Sequence, residues 1–130
     1  MATTTTDRRF FITFMTCWVP VLLYITAILV VSAQPGLRPP PGLQLSDKVY
    51  HFAEYFGLGL LLVRALRATL RVRLPIVASL IAIAIGLLMG ISDELFQRMV
   101  PGRESSIFDV LADLTGVIMA QIVYLFVARE

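Results

Sequence analysis

Phe10 to Ala33 runs without a single charged residue. At 1.5 Å per helical residue it is long enough to cross about 30 Å of hydrocarbon. Inside a bilayer every backbone amide must be satisfied within the protein, so a run of this kind has to be helix. Arg8 and Arg9 precede it, and Val31-Ser32-Ala33 resembles a signal-peptide cleavage site. The run nevertheless exceeds the roughly 7–15 apolar residues of a signal peptide, which points to an uncleaved transmembrane helix. Pro20 is expected to kink it. Trp18 and Tyr24 need no special role. Cys17, the one cysteine, reads as a small apolar residue within the helix and carries no information about redox compartment.

The rest of the chain repeats the pattern. Of its 130 residues, 58% are hydrophobic and 15% charged, against about 25% charged in a soluble domain. Gln34 to Leu45 is broken by prolines and glycines and must be a loop. Ser46 suits an N-cap, with Asp47 in the first turn. The expected organisation is a short disordered cytoplasmic tail over 1–9 and one transmembrane domain over 10–130. Its spans are about 10–33, 47–70, 76–98 and 107–127. Pro75 precedes the third span, Pro101-Gly102 ends it, and Ser105 or Ser106 caps the fourth. The fold class is therefore an all-α membrane protein with four transmembrane helices and no soluble domain or repeat. A net charge of +2 on so apolar a chain argues against a nucleic-acid partner.

Basic residues set the orientation. Arg8, Arg9, Arg64, Arg67, Arg71, Arg73 and Arg129 fall on one side of the four spans. Arg38, Lys48, Arg98 and Arg103 fall on the other. The richer side is cytoplasmic, which puts both the N- and C-termini in the cytoplasm. The Arg64–Arg73 cluster then also meets anionic lipid headgroups. Asp47, Glu54, Asp93, Glu94, Glu104, Asp109 and Asp113 gather at the outer end.

The stretch from Ser92 to Gly116 places Asp93, Glu94, Gln97, Arg98, Arg103, Glu104, Asp109 and Asp113 between two apolar spans. Each charge carried toward the bilayer centre costs roughly 3 kcal/mol on insertion scales, so a functional or architectural polar cluster is the default reading. Helical spacing stacks Asp93 over Gln97 and Glu94 over Arg98. Asp47, His51 and Glu54/Tyr55 share one face of the second span, and Asp109, Asp113 and Gly116 one face of the fourth. Gly86, Gly90 and Gly116 suit close helix packing.

Two motifs in these stretches resemble the VanZ-like family. The first is Asp47, Lys48, His51, Phe52, Tyr55 and Leu58-Gly59. The second is Glu94, Gln97, Pro101-Gly102-Arg103, Ser106, Asp109, Asp113 and Gly116. The likeness covers most of the chain; one departure is Asp113, where many members carry asparagine. It implies a small integral membrane protein of the bacterial cytoplasmic membrane, in a family whose founding member is associated with low-level resistance to teicoplanin. It implies no particular catalytic activity.

The candidate catalytic residues are His51, Glu94 and Asp109, a carboxylate–histidine group suited to acid–base work. Lys48, Arg103, Gln97 and Tyr55 are candidates for binding an anionic substrate, Arg103 through its bidentate fork. A rival role for Arg103 is an ion pair with Glu104, Asp109 or Asp93. His51, Glu94, Asp109 and Asp113 are the set that would hold a divalent cation, although no HExxH-type spacing supports one, and no cofactor is specified. Asp47, Ser106 and Gly116 are structural or capping residues. Three functions compete. One is binding or modifying a lipid-linked envelope precursor. Another is a non-enzymatic scaffold for envelope-assembly proteins, with a structural cluster; the third is a small transporter. Membrane lipids are partners under each. A cysteine placed at Gln44 is expected to react with an impermeant maleimide only from outside the cell; labelling only from the cytoplasm would invert the topology.

Overall fold

The computed structural model describes residues 5–35, 44–70 and 74–127, which form helices and the turn between the last two, with no strand among them. Arg38, Arg71, Arg73, Arg129 and most of the proline-rich loop lie outside the described residues. Four helices are long and apolar enough to cross a membrane. The first, α1, is a composite of Thr5–Thr13, one π-helical turn over Phe14–Trp18, and Val19–Ser32. The others are α2 (Gln44–Leu70), α3 (Pro75–Gln97) and α4 (Ile107–Val127).

Two boundaries differ from the sequence expectation. The tail expected to be disordered is helical from Thr5. Extending a formed helix fixes one residue per hydrogen bond gained, and Asp7 in the first turn suits the helix dipole. Likewise α2 starts at Gln44, so Leu45 is not loop and Ser46 stands within the first turn. Neither Gln44 nor Leu45 is a helix breaker, and the last breaker before them is Gly42.

The distortion expected at Pro20 takes the form of the π turn. Pro20 lacks an amide, and its ring crowds the carbonyl four residues back. Just ahead of it the Val19 N–H bonds Phe14 O, five residues back, which widens the helix where that clash would fall. Pro75 occupies the first turn of α3, where a missing amide costs nothing. Between α3 and α4 the chain reverses through Val100-Pro101-Gly102-Arg103. The Arg103 N–H donates to Val100 O at 3.2 Å and Gly102 has φ 81°. Proline second and a positive-φ glycine third is the signature of a type II turn.

The core centres on α2, whose Tyr55, Leu58, Leu62, Val63 and Ala65 are all buried. It packs tightly against α4, and α3 packs on both, while α1 leans on α2 and α3, with Val21, Ile28 and Ser32 buried. Small residues permit these approaches. A Cβ on Gly116 would collide with Phe52 O and Phe56 N, the backbone of α2. Gly86 faces Val117, and Gly90 faces Asp113. Tyr24 crosses from α1 to lie over Gly57, donating its hydroxyl to Glu54 O at 3.0 Å. Toward the opposite end, Trp18 Nε1 donates to Thr69 Oγ1 at 2.7 Å. The roles found for Trp18 and Tyr24 are thus interhelical links, which an apolar run does not reveal.

Gly116→Ala tests the closest crossing. Backbone cannot yield as a side-chain tip can, so the cost should be that of overpacking, about 1–3 kcal/mol. Thermal unfolding in detergent is expected to shift clearly downward, with an exposed Ala53→Gly change as the reference. An unshifted midpoint would mean that α2 and α4 stand further apart.

Candidate functional site

The polar residues meet at one end of the bundle, where the C-terminal ends of α1 and α3 lie beside the N-terminal ends of α2 and α4. His51 Nδ1 on α2 lies 2.9 Å from Asp113 Oδ1 on α4. Lys48 Nζ, one turn earlier, donates to Asp109 Oδ1 at 2.6 Å and stands 5.9 Å from the centre of the Phe108 ring. Gln97 Nε2 on α3 donates to Asp93 Oδ2 at 3.1 Å and across to Ser32 Oγ on α1 at 3.3 Å. Glu94 Oε2 accepts the Ser106 amide at 2.9 Å, which ties the end of α3 to the start of α4. Each helix of the bundle is thereby fastened to another by a polar contact.

The α3–α4 turn is built to allow this. Ser106 caps α4, its Oγ accepting the Phe108 amide at 3.2 Å, while its own amide goes to Glu94. Spacing suggested a Glu94–Arg98 pair; the structure directs Arg98 Nε to Ser105 Oγ at 3.1 Å. Arg103 is half-buried in the turn, and Asp47 is half-buried at the start of α2.

Burial gives the cluster its electrostatic character. His51, Asp93, Glu94, Gln97, Asp109 and Asp113 are each no more than 7% exposed. Asp113 lies six residues into α4, about 9 Å below its start. Four buried carboxylates therefore meet two basic partners, Lys48 on Asp109 and His51 on Asp113. Asp93 and Glu94 share no such partner among the ion pairs described. Asp93 Oδ1, Glu94 Oε1 and Asp113 Oδ2 are buried and accept no hydrogen bond from the described residues, and the Tyr55 hydroxyl is likewise unbonded.

Of the residues predicted for the site, His51, Glu94 and Asp113 bring ligand atoms within 4.8 Å of one another. His51 also groups in this way with Asp47 and Asp109. Asp109 thus sits beside the first group, held by Lys48. Lys48, predicted as an anion binder, spends its charge on that pair. Ser32 and Gln121 were missed. Ser32 closes the α1 connection, and Gln121 Nε2 donates to Gly59 O at 3.1 Å deep in the α2–α4 crossing. Their signal was being polar and helix-spaced within apolar runs, which alone does not separate a buried tie from a lipid-facing hydroxyl or amide.

Beside the cluster, α3 and α4 enclose a groove of about 330 Å³. Leu87, Ile91, Leu95, Val110, Leu111 and Leu114 are among the residues along it, and Glu94, Arg98, Ser105 and Ser106 supply its polar lining. Glu94 belongs to both the groove and the buried cluster.

The model of the family described as VanZ/LLP1 matches residues 8–128. Comparison with curated proteins and with solved structures returned no match.

The His51–Asp113 pair is the simplest contact to test by a double-mutant cycle. Removing one partner from a buried pair costs roughly 3–5 kcal/mol because the other is stranded. His51→Phe and Asp113→Leu are each expected to lower the thermal midpoint strongly, and the double variant to recover much of the loss. Additive losses would show that the two side chains are not coupled.

Proposed function

The chain belongs to the VanZ/LLP1 family, and on that premise we propose that it binds a lipid-linked envelope precursor at the outer face of the bacterial cytoplasmic membrane. The observation that carries this reading is the groove between α3 and α4, apolar along its length and lined at its polar end by Glu94, Arg98, Ser105 and Ser106. Such a lining matches a molecule with an isoprenoid-like chain and a phosphate head. Arg98 supplies the charge that a phosphate requires, in place of Lys48, which is committed to Asp109. Arg103, on the adjoining turn, would add a second guanidinium. The distribution of basic residues supports the outer location: Arg8, Arg9, Arg64 and Arg67 lie toward the end of the bundle away from the cluster.

Chemistry on the bound lipid would start at Glu94, which lines the groove while grouping with His51 and Asp113 behind it. A carboxylate so placed would accept a hydrogen bond from a headgroup hydroxyl and so orient the bound lipid. Altered handling of such a precursor is also the route by which the protein would influence glycopeptide susceptibility.

A second reading is favoured by a different observation. The contacts Lys48–Asp109, His51–Asp113, Gln97–Ser32 and Ser106–Glu94 join all four helices, as a purely architectural network in a scaffold protein would.

The two readings separate on groove variants. Arg98→Ala and Leu111→Trp change the groove and leave those four contacts in place. Both variants are expected to accumulate normally in the membrane but to bind a polyprenyl phosphate at least tenfold more weakly in detergent. Unchanged binding by both would overturn the lipid reading and leave the architectural one.

A further inference from the structure

We infer that His51, Glu94 and Asp113 form a three-ligand site for a divalent transition metal of the zinc type. The three residues come from three different helices, α2, α3 and α4, and each offers one ligand atom within 4.8 Å of the others. His51 Nδ1 and Asp113 Oδ1 are 2.9 Å apart. Donors about 2.0–2.2 Å from a tetrahedral ion lie roughly 3.3 Å from each other, so the imidazole and the Asp113 carboxylate already stand close to ligand spacing.

The unpartnered oxygens are an independent pointer. Glu94 is 3% exposed and Asp113 fully buried. Each commits one carboxylate oxygen, Glu94 Oε2 to the Ser106 amide and Asp113 Oδ1 to His51, and the Ser105 hydroxyl also bears on Glu94. Each keeps the other, Oε1 and Oδ2, buried with no donor among the described residues. Oδ2 is turned toward α3: a Cβ added to Gly90 would fall 3.0 Å from it, and Gly90 is one turn from Glu94 on that helix. A buried carboxylate oxygen without a donor loses its solvation and gains nothing in exchange. A cation shared by the three side chains satisfies both oxygens and supplies the positive charge that the acidic excess of the cluster lacks.

The donor set selects the metal. Magnesium and calcium call for about six or more oxygen donors and usually retain water, whereas here one donor is an imidazole and the surrounding backbone carbonyls are committed within helices. One nitrogen and two carboxylate oxygens, with a fourth position left open, suit zinc. The amide of Ser106 on Glu94 is the kind of outer contact that orients a metal ligand. The alternative grouping of Asp47, His51 and Asp109 is less suited, because Lys48 already neutralises Asp109 at 2.6 Å and Asp47 is only half-buried.

The test uses the full-length protein in detergent, stripped with a chelator and titrated with Zn²⁺ alone by calorimetry in excess Mg²⁺. Co²⁺ is added in parallel as a visible-absorbing substitute. The wild type is expected to bind one Zn²⁺ per chain and to give the intense visible bands of a low-coordinate Co²⁺ site. Glu94→Gln and Asp113→Asn should each bind more than tenfold more weakly while eluting as monodisperse protein. Asp47→Asn should bind as the wild type does, and His51→Cys should keep the metal with a shifted cobalt spectrum. No stoichiometric binding by monodisperse wild type, or binding indifferent to Glu94→Gln and Asp113→Asn, would overturn the site. So would equal loss in Asp47→Asn. None of these measurements involves lipid, so the groove reading stands or falls separately.

Discussion

Asp113 is fully buried about two turns inside α4, and His51 answers it from α2 at 2.9 Å. In a bilayer no water comes to the aid of an unpaired carboxylate there, so the register between these two helices is set by the need to keep the pair together. The consequences run along both helices. With Asp113 opposite His51, Asp109 comes opposite Lys48 one turn outward. One turn inward Gly116 comes against the backbone at Phe52 and Phe56. Deeper still, Gln121 reaches Gly59 O. A slide of one residue would strand charges at one end and jam backbones at the other.

Close approach and buried polarity are coupled. Lipid tails are as apolar as leucine, so burial of apolar surface does little to bring transmembrane helices together; packing and interhelical hydrogen bonds do. Glycines at 116, 90 and 86 remove the side chains that would hold the helices apart, and only at that spacing do the side chains of α2, α3 and α4 touch. The same closeness concentrates negative charge. Pairing Lys48 and His51 leaves Asp93 and Glu94 as an acidic remainder at the α3 end, beside the groove between α3 and α4.

Much of this arrangement is legible from residue order. Apolar run lengths announce four membrane helices, because hydrocarbon thickness prescribes how many residues a span needs. Periodicity puts Asp47 with His51, and Asp109 with Asp113, on common faces, since the 3.6-residue repeat is local. The turn at Pro101-Gly102 and the cap at Ser106 are equally local and appear as written. The helix ends were less legible at Thr5 and Gln44. Continuing a formed helix through polar residues leaves no mark in the hydrophobic pattern.

Partner choice was legible for Asp93 and Gln97, one turn apart on one helix and bonded as their spacing implies, but not beyond that. The spacing of Glu94 and Arg98 favours a pair within the helix, yet Glu94 takes the Ser106 amide and Arg98 the Ser105 hydroxyl. A turn that folds back over the helix end offers both groups nearer partners. Ser32, ordinary in an apolar run, becomes the tie to α1 only because Gln97 arrives beside it. Length, polarity and period are properties of a segment with respect to its solvent, so the amino-acid order alone determined the membrane class, the spans and the end at which charge collects. Which carboxylate pairs with which cation, which oxygens remain unsatisfied, and where a groove opens depend on distances between residues far apart in the chain. Those distances exist only once the helices have packed, and the tertiary structure alone decided them.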